Sequence, residues 1–313
     1  MTVLVTGAYG FVGRWVVRAL LAAGHTVVGA TGPGGEPALE GSERARVQWM
    51  PLDLADAASV RAVAAGAYDA VLHLAGLASG GDAMRDPGTA WTVNAAGTAR
   101  LVGEFGRRKA AGEIDPLVVV VSTAEVYGRS ARPLVETDPI APRSPYAASK
   151  RGAELAADET AARTGLRVVL ARAFPHTGPG QDTRFVAPAF AERLLTARRV
   201  GARVVNVGNL DVTRDFLDVR DVARAYTVLL AQGVPGEVYN VASGTGISLR
   251  DLFDRIADAV GVSAIPESDS AFLRATDIPF LVGDPGKLHR ATGWSPEIDL
   301  DTTLRDLVHA QAS

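Results

Sequence analysis

The chain has 313 residues, 47% hydrophobic and 21% charged, a composition that supports a large core and excludes a disordered chain. A formal net charge of −3 with scattered arginines argues against nucleic acid and an anionic membrane surface as partners. There is no cysteine, which excludes disulfides, thiolate metal sites and cysteine nucleophiles, and the five histidines never fall at HxxxH spacing, so no metal is expected.

The chain opens directly on a strand, TVLVT (2–6), with no basic leader before a long apolar stretch. The following segment carries apolar residues at 12, 16, 17, 20 and 21, the spacing of one helix face. Strands are predicted at 25–30 and 45–53, a helix near 56–65, a strand at 69–76 and one long helix over 89–110. A strand at 117–122, a helix at 144–164 and a strand at 167–173 complete the regular part. Apolar runs such as PLVVVV (116–121) are strand-length, far below the ~20 residues that cross a bilayer, so a soluble cytoplasmic protein is expected.

Near-continuous apolar strands separated by helices predict an α/β fold with a doubly wound parallel sheet of Rossmann type. Beyond residue 174 the pattern loosens. Helices are predicted at 184–199, 219–232, 249–260 and 300–311, and strands at 203–208 and 237–244. The expected division is a dinucleotide-binding domain over 1–174 and a smaller, mostly C-terminal substrate lobe over 175–313. Segments around 203–243 are expected to return to the first domain. No internal repeat is present, and GPGGEPALEG (32–41) reads as an exposed loop.

TGAYGFVG places Gly7, Gly10 and Gly13 between the first strand and the first helix. Glycine tolerates positive φ and lets backbone approach a pyrophosphate, whose charge meets the helix N-terminus. A glycine triplet alone is weak evidence; at a strand-to-helix junction opening a βαβ unit it is strong. NAD sites place an acid at the end of the second strand, but Thr31 stands there and Glu36 is too far along. Without that acid a 2′-phosphate is not repelled, which favours NADPH, with NADH possible. Arg14 and Arg44 are candidate phosphate partners or solvated surface charges. Asp53 either bonds the adenine amine or caps a helix.

YAASK sets Tyr146 and Lys150 four residues apart on one helix face. An ammonium beside a phenol stabilises the phenolate and lowers the tyrosine pKa, so the pair can exchange a proton with a substrate oxygen as hydride moves. Thr123, at a strand end, can bond the same oxygen.

With the glycine turn, Thr123 and the Tyr146–Lys150 pair in this order, the sequence resembles the extended short-chain dehydrogenase/reductases that act on nucleotide sugars. TGAYGFVG, HLAG, VNAAGT, VSTAEVYG, YAASK, ARAFPHTGPGQ, VTRDFLDVRDV and GWSPEI occur in family order across nearly the whole chain. Within the family it looks most like the GDP-4-keto-6-deoxy-mannose reductases, then the GDP-mannose 4,6-dehydratases. The resemblance implies Thr123, Tyr146 and Lys150 as catalytic residues. It also implies that Gly7, Tyr9, Gly10, Phe11, Val12, Gly13, Asp53, Leu54, Leu74, Ala75, Gly76, Phe174 and His176 hold the dinucleotide with Tyr146 and Lys150. Thr123, Glu125, Tyr146, His176, Arg214 and Arg274 would face the substrate. Arg214 either grips the diphosphate or pairs with Asp215 or Asp218. Asn94 reads as a structural hydrogen bonder.

Two departures bear on the reaction. Dehydratases read Thr-Asp-Glu or Thr-Ser-Glu where this chain reads Thr123-Ala124-Glu125, and a methyl cannot protonate a departing hydroxide. Glu125 is either a remaining acid or a turn residue. Pro175 stands where related enzymes carry Asn, removing an amide that reaches the substrate. The leading expectation is NADPH-dependent reduction of the C4 ketone of a GDP- or dTDP-linked 4-keto-6-deoxyhexose. The alternatives are an epimerase or 4,6-dehydratase that recycles its dinucleotide, and a non-catalytic dinucleotide sensor. A homodimer through the helices near 89–110 and 144–164 is expected from the resemblance.

Overall fold

The computed structural model describes residues 1–32, 39, 41–272 and 278–312. The first half alternates strand and helix: β1 (Thr2–Thr6), α1 (Phe11–Ala22), β2 (Thr26–Thr31), α2 (Gly41–Arg44), β3 (Val47–Pro51), α3 (Ala57–Ala64) and β4 (Ala70–His73). Then come α4 (Gly80–Arg85), α5 (Pro87–Ala90), a π-helical turn (Trp91–Ala96), α6 (Gly97–Ala110), β5 (Leu117–Thr123), a 3₁₀ turn (Ala124–Val126), α7 (Pro145–Thr164) and β6 (Arg167–Ala173).

The second half contains β7 (His176–Thr177), α8 (Val186–Val200), β8 (Val204–Val207), β9 (Thr213–Asp215), β10 (Leu217–Asp218), α9 (Val219–Gln232), β11 (Val238–Val241) and β12 (Gly246–Ser248). It ends with α10 (Leu249–Val260), β13 (Ile265–Ser268), a 3₁₀ turn (Ser270–Phe272), β14 (Phe280–Leu281), α11 (Gly286–Thr292) and α12 (Leu300–Ala312).

Seven parallel strands form the central sheet in the order β11-β6-β5-β4-β1-β2-β3. Side chains of β5 alternate between its faces, as strand geometry requires. Val119 joins Leu20, Tyr226 and Leu229 in the core under α1 and α9, while Val118 and Val120 join Leu101, Phe105 and Ala157 under α6 and α7. Strand order reverses beside β1, so the crevice outside the strand ends lies between β1 and β4, where such sheets bind ligands.

The later segments divide between two places. β11 pairs with β6 and α9 packs on α1, both in the central layer. β8 pairs instead with β13, and β9 pairs with β12 and β14. Phe190, Leu194, Phe253, Ile256 and Leu307 from α8, α10 and α12 form a separate core in that second lobe.

The segment 89–110, expected as one helix, is broken by the π turn at Trp91–Ala96. Three hydrogen bonds around Asn94 account for the widening. The Thr98 hydroxyl donates to the Asn94 carbonyl at 2.6 Å, and the Asn94 amide is drawn sideways to the backbone of Leu77.

Candidate active site

Gly7 follows β1 at φ +72°, a left-handed backbone conformation that disfavours side chains. Its N–H donates to the Ala30 carbonyl at 2.8 Å, and a Cβ there would meet Ala75 N at 2.9 Å. A Cβ on Gly13 would overlap the Gly7 carbonyl and Ala8, so only glycine lets α1 sit this close to the turn. Gly10 caps α1 without a side-chain acceptor, and the first turn holds no acid, which suits an incoming anion. Tyr9 packs on Trp49 with ring centroids 4.4 Å apart, and Val12 packs on the core beneath α1.

Phe11 lies parallel to His176, 3° between planes and 6.2 Å between centroids, joining the glycine turn to the segment after β6. Arg14 reinforces that joint. Its guanidinium stands 5.5 Å over Phe11 and donates to the Pro179 carbonyl at 2.6 Å. Arg14 is thus half-buried rather than a solvated charge, whereas Arg44 is exposed at the end of α2. Thr31 closes β2 with its carbonyl accepting from Leu52 N, and Glu36 lies outside the described residues.

Of the two readings of Asp53, the helix cap is filled by another residue. Asp56 caps α3, while the Asp53 carboxylate takes the N–H of Ala55 at 2.8 Å and stays exposed. Leu54 is buried and meets the Gly97 position closely.

A directed chain of hydrogen bonds fixes the Leu74–Gly76 turn. Ala75 N donates to Thr6 Oγ1 at 3.1 Å, leaving the Thr6 hydroxyl hydrogen for His73 Nδ1 at 2.8 Å. On the other side, Thr98 spends its hydrogen on the Asn94 carbonyl and so accepts from His73 Nε2 at 2.9 Å. The proton therefore sits on Nε2 and the ring is neutral, as its pKa, pushed down to about 3 by burial and then by Lys150, requires. Asn94 accepts from Leu77 N, donates to Leu77 O and to Ser149 Oγ, and Ser149 donates to the Tyr146 carbonyl. Neither His73, Thr6, Thr98 nor Ser149 was singled out in the sequence, because a hydroxyl or imidazole scattered over a hundred residues carries no local signal.

Tyr146 and Lys150 stand in the first turns of α7, which Pro145 and the Ser144 cap initiate. Thr123, at the end of β5, hydrogen-bonds the Tyr146 phenol and accepts from Glu125 N. The Lys150 ammonium donates to the Val121 carbonyl at 2.7 Å and lies under Gly76. Burial lowers the Lys150 pKa to about 8. The Tyr146 pKa runs opposite to the expected direction: burial and the Glu125 carboxylate raise it, and the Thr123 bond only partly opposes them. The free pair therefore keeps a protonated phenol at neutral pH.

Ala124 is fully buried among Val126, Tyr127, Leu134, Phe174, Ile278 and Leu281, an apolar bed one residue from Thr123. Phe174 is buried in the same bed, and the group it offers outside that bed is its carbonyl, which accepts from His176 Nδ1 at 2.9 Å. Burial lowers the His176 pKa, so its ring is held neutral. Pro175 supplies a carbonyl that accepts from Leu217 N. Glu125 is half-buried and accepts from the Ser144 hydroxyl at 3.4 Å.

Arg214, on β9, donates to the carbonyls of Thr213 and Ile278. The two carboxylates considered as its partners are engaged by other donors: Asp215 by Ser243, Gly244 and Gly283, and Asp218 by Arg220 and Thr303. Arg274 lies outside the described residues.

A doubly wound parallel sheet, a glycine turn at its switch point and a Tyr-Lys pair on one helix define a short-chain dehydrogenase/reductase of the extended type. Residues 4–307 match the family described as GDP-mannose 4,6 dehydratase, and the chain belongs to that family. It is 35% identical over 314 residues to the GDP-6-deoxy-D-mannose reductase of Pseudomonas aeruginosa, covering 97% of this chain and 95% of that one. Among solved structures, RMD from Pseudomonas aeruginosa complexed with NADPH aligns with TM-score 0.82 and 34% identity, over 100% of this chain and 99% of that one. The UDP-glucose 4-epimerase of Thermus thermophilus in complex with NAD aligns with TM-score 0.86 and 30% identity, over 100% and 99%.

Proposed function

We propose that this chain reduces the C4 ketone of a nucleotide-diphosphate 4-keto-6-deoxyhexose with NADPH. The observation that carries the reading is the apolar burial of Ala124 beside Thr123, which leaves no acid at the position where dehydration would need one. The 35% identity to a GDP-6-deoxy-D-mannose reductase supports it independently. The residues present fit a nicotinamide dinucleotide: the left-handed Gly7 and the glycine at 13 bring the start of α1 to the turn, as a pyrophosphate site requires, and β2 ends on Thr31 with no carboxylate to repel a 2′-phosphate.

When bound, the reduced nicotinamide supplies a hydride to C4. Thr123 and Tyr146 hold the C4 carbonyl oxygen between their hydroxyls. Tyr146, kept protonated by burial and Glu125, gives its proton to that oxygen as the C=O π bond becomes a C–H and an O–H bond. Lys150 would hold the nicotinamide ribose and stabilise the phenolate left on Tyr146 until solvent returns the proton. His176, neutral and stacked on Phe11, lines the sugar side, and Arg214 grips the diphosphate.

The reading extends to the assembly and its place in the cell. Trp91 (47% exposed) lies over Gly152, one turn from Leu155 (53% exposed), an apolar face that a homodimer of this cytoplasmic enzyme would cover. No helix among the described residues is long and apolar enough to cross a membrane.

The test offers GDP- and dTDP-linked 4-keto-6-deoxyhexoses with NADPH and NADH and follows dinucleotide absorbance. Oxidation in step with keto-sugar consumption, faster with NADPH, is the expected result. Conversion with no net oxidation would reject the reductase in favour of an enzyme that recycles its dinucleotide. The match to the 4,6-dehydratase family and the retained Glu125 favour that second reading, and stoichiometric dinucleotide released on denaturation would support it. Tyr146→Phe should lower kcat by roughly 10²–10⁴-fold while dinucleotide binding persists.

A further inference from the structure

Behind the reacting pair lies an ion cluster that the proposed chemistry does not use. Glu154 sits one turn beyond Lys150 on α7, continuing the four-residue spacing of Tyr146 and Lys150, and is completely buried. Arg172 of β6, 4% exposed, clamps it with Nε to Oε1 at 2.9 Å and Nη2 to Oε2 at 3.0 Å. Arg151 adds a third bond at 2.7 Å. The Arg172 guanidinium is itself pinned, 4.7 Å over the Tyr127 ring and donating to the Glu136 carbonyl. Tyr127 in turn donates to Asn240 Oδ1 at 2.7 Å, and Asn240 Nδ2 donates to the Leu134 carbonyl.

A buried ion cluster is poor value as a stability device. Desolvating the charges costs several kcal/mol per ion, and well-packed apolar residues often do as well. Ala157, Val168 and Leu170 belong to the apolar core between α7 and the sheet. The location of the cluster is what calls for explanation.

We propose that Glu154 is a positioning residue for the reacting pair: clamped by Arg172 and Arg151, its carboxylate is the fixed counter-charge that holds the Lys150 ammonium on the Val121 carbonyl. The proposal rests on the reading of Tyr146 and Lys150 as the reacting pair. Among the described residues, no other group facing Lys150 supplies a compensating negative charge. β4 presents His73, neutral through its bonds to Thr6 and Thr98. The π turn presents the uncharged amide of Asn94, and β5 a carbonyl. β6 presents Arg172, and α7 presents Tyr146 and Arg151 besides Glu154. Glu125 acts on Tyr146, and Asp158, one turn further on, feels Glu154 as a like charge. Burial drives the Lys150 pKa down, and Glu154 is the group that opposes it.

The chain contains three lysines, Lys109, Lys150 and Lys287, so ¹³Cε-lysine labelling gives three resonances that can be titrated in the substrate-free protein, with Lys150→Met assigning the one of interest. Lys150 should titrate near 8, and Glu154→Gln should move that midpoint down by about one unit or more. Arg172→Gln keeps the carboxylate and should leave the midpoint in place or raise it. A fall in Glu154→Gln with no fall in Arg172→Gln marks a charge effect, which a merely structural role would not produce. If Glu154→Gln does not fold, Glu154→Gln with Arg172→Met removes both buried charges, and the Lys150 midpoint should fall below that of Arg172→Met alone. A midpoint unchanged from wild type in the first, or from Arg172→Met in the second, overturns the proposal. No sugar enters this measurement, so its failure is separate from failure of the reductase reading, which the dinucleotide assay alone decides.

Discussion

At the scale of single residues, the site depends on side chains whose ionisation is set by burial. His73 is neutral when folded, with a pKa pushed from 6.5 to about 3. Below pH 6.5 the unfolded chain takes up a proton that the folded one refuses, so stability is full above 6.5 and is lost progressively as pH falls toward 3. The slope from this one group is about 1.4 kcal/mol per pH unit. His73→Gln should flatten the acid limb by about that amount when urea midpoints are measured against pH; an identical slope in the variant would count against a neutral buried ring. Gly13 makes a steric prediction. Gly13→Ala forces a methyl onto the Gly7 carbonyl and Ala8, and the overpacking should cost about 1–3 kcal/mol in urea unfolding; an unchanged midpoint would mean the turn yields freely.

At the scale of elements, TRDFLDVRD proves to be a row of braces. Asp215, Asp218 and Asp221 recur every third residue, and all are buried. Asp215 accepts from Ser243 N and Oγ, Gly244 N and Gly283 N, tying β9 to two later loops. Asp218 caps α9 and accepts from Thr303 of α12. Asp221 accepts from the N–H groups of Glu297 and Ile298. Asp215→Ala would orphan three backbone donors and a hydroxyl, and should cost about 3 kcal/mol or more in urea unfolding at pH 7. A loss under about 1 kcal/mol would mean water replaces the carboxylate. Longer elements were legible in advance: α9 and α10 lie at 219–232 and 249–260, the ranges predicted from the sequence. The two- and three-residue strands β7, β9, β10, β12 and β14 were not, since so short a segment has no period to read.

At the scale of the whole molecule, the glycine turn, the π turn and the Tyr-Lys helix meet only because β1, β4 and β5 are neighbours in the sheet. The Phe11–His176 and Arg14–Pro179 contacts then join the dinucleotide turn to the segment leading into the second lobe. The exposed Trp91 and Leu155 face bears on assembly. Leu155→Glu should leave secondary structure intact by circular dichroism and convert a dimer to a monomer in sedimentation velocity. An unchanged sedimentation coefficient would remove this face from the interface.

Local chemistry suffices for part of this protein. A glycine triplet after a strand, a Tyr-Lys pair at helical spacing and an alanine where an acid would stand are all readable in short windows, because each acts through its own backbone or its nearest turn. Tertiary structure alone decided the rest. Whether the tyrosine pKa is raised or lowered, which nitrogen of His73 holds the proton, and what Glu154 faces all depend on groups many residues away in sequence. Those groups come together only when parallel strands stack side by side and exclude water from between them.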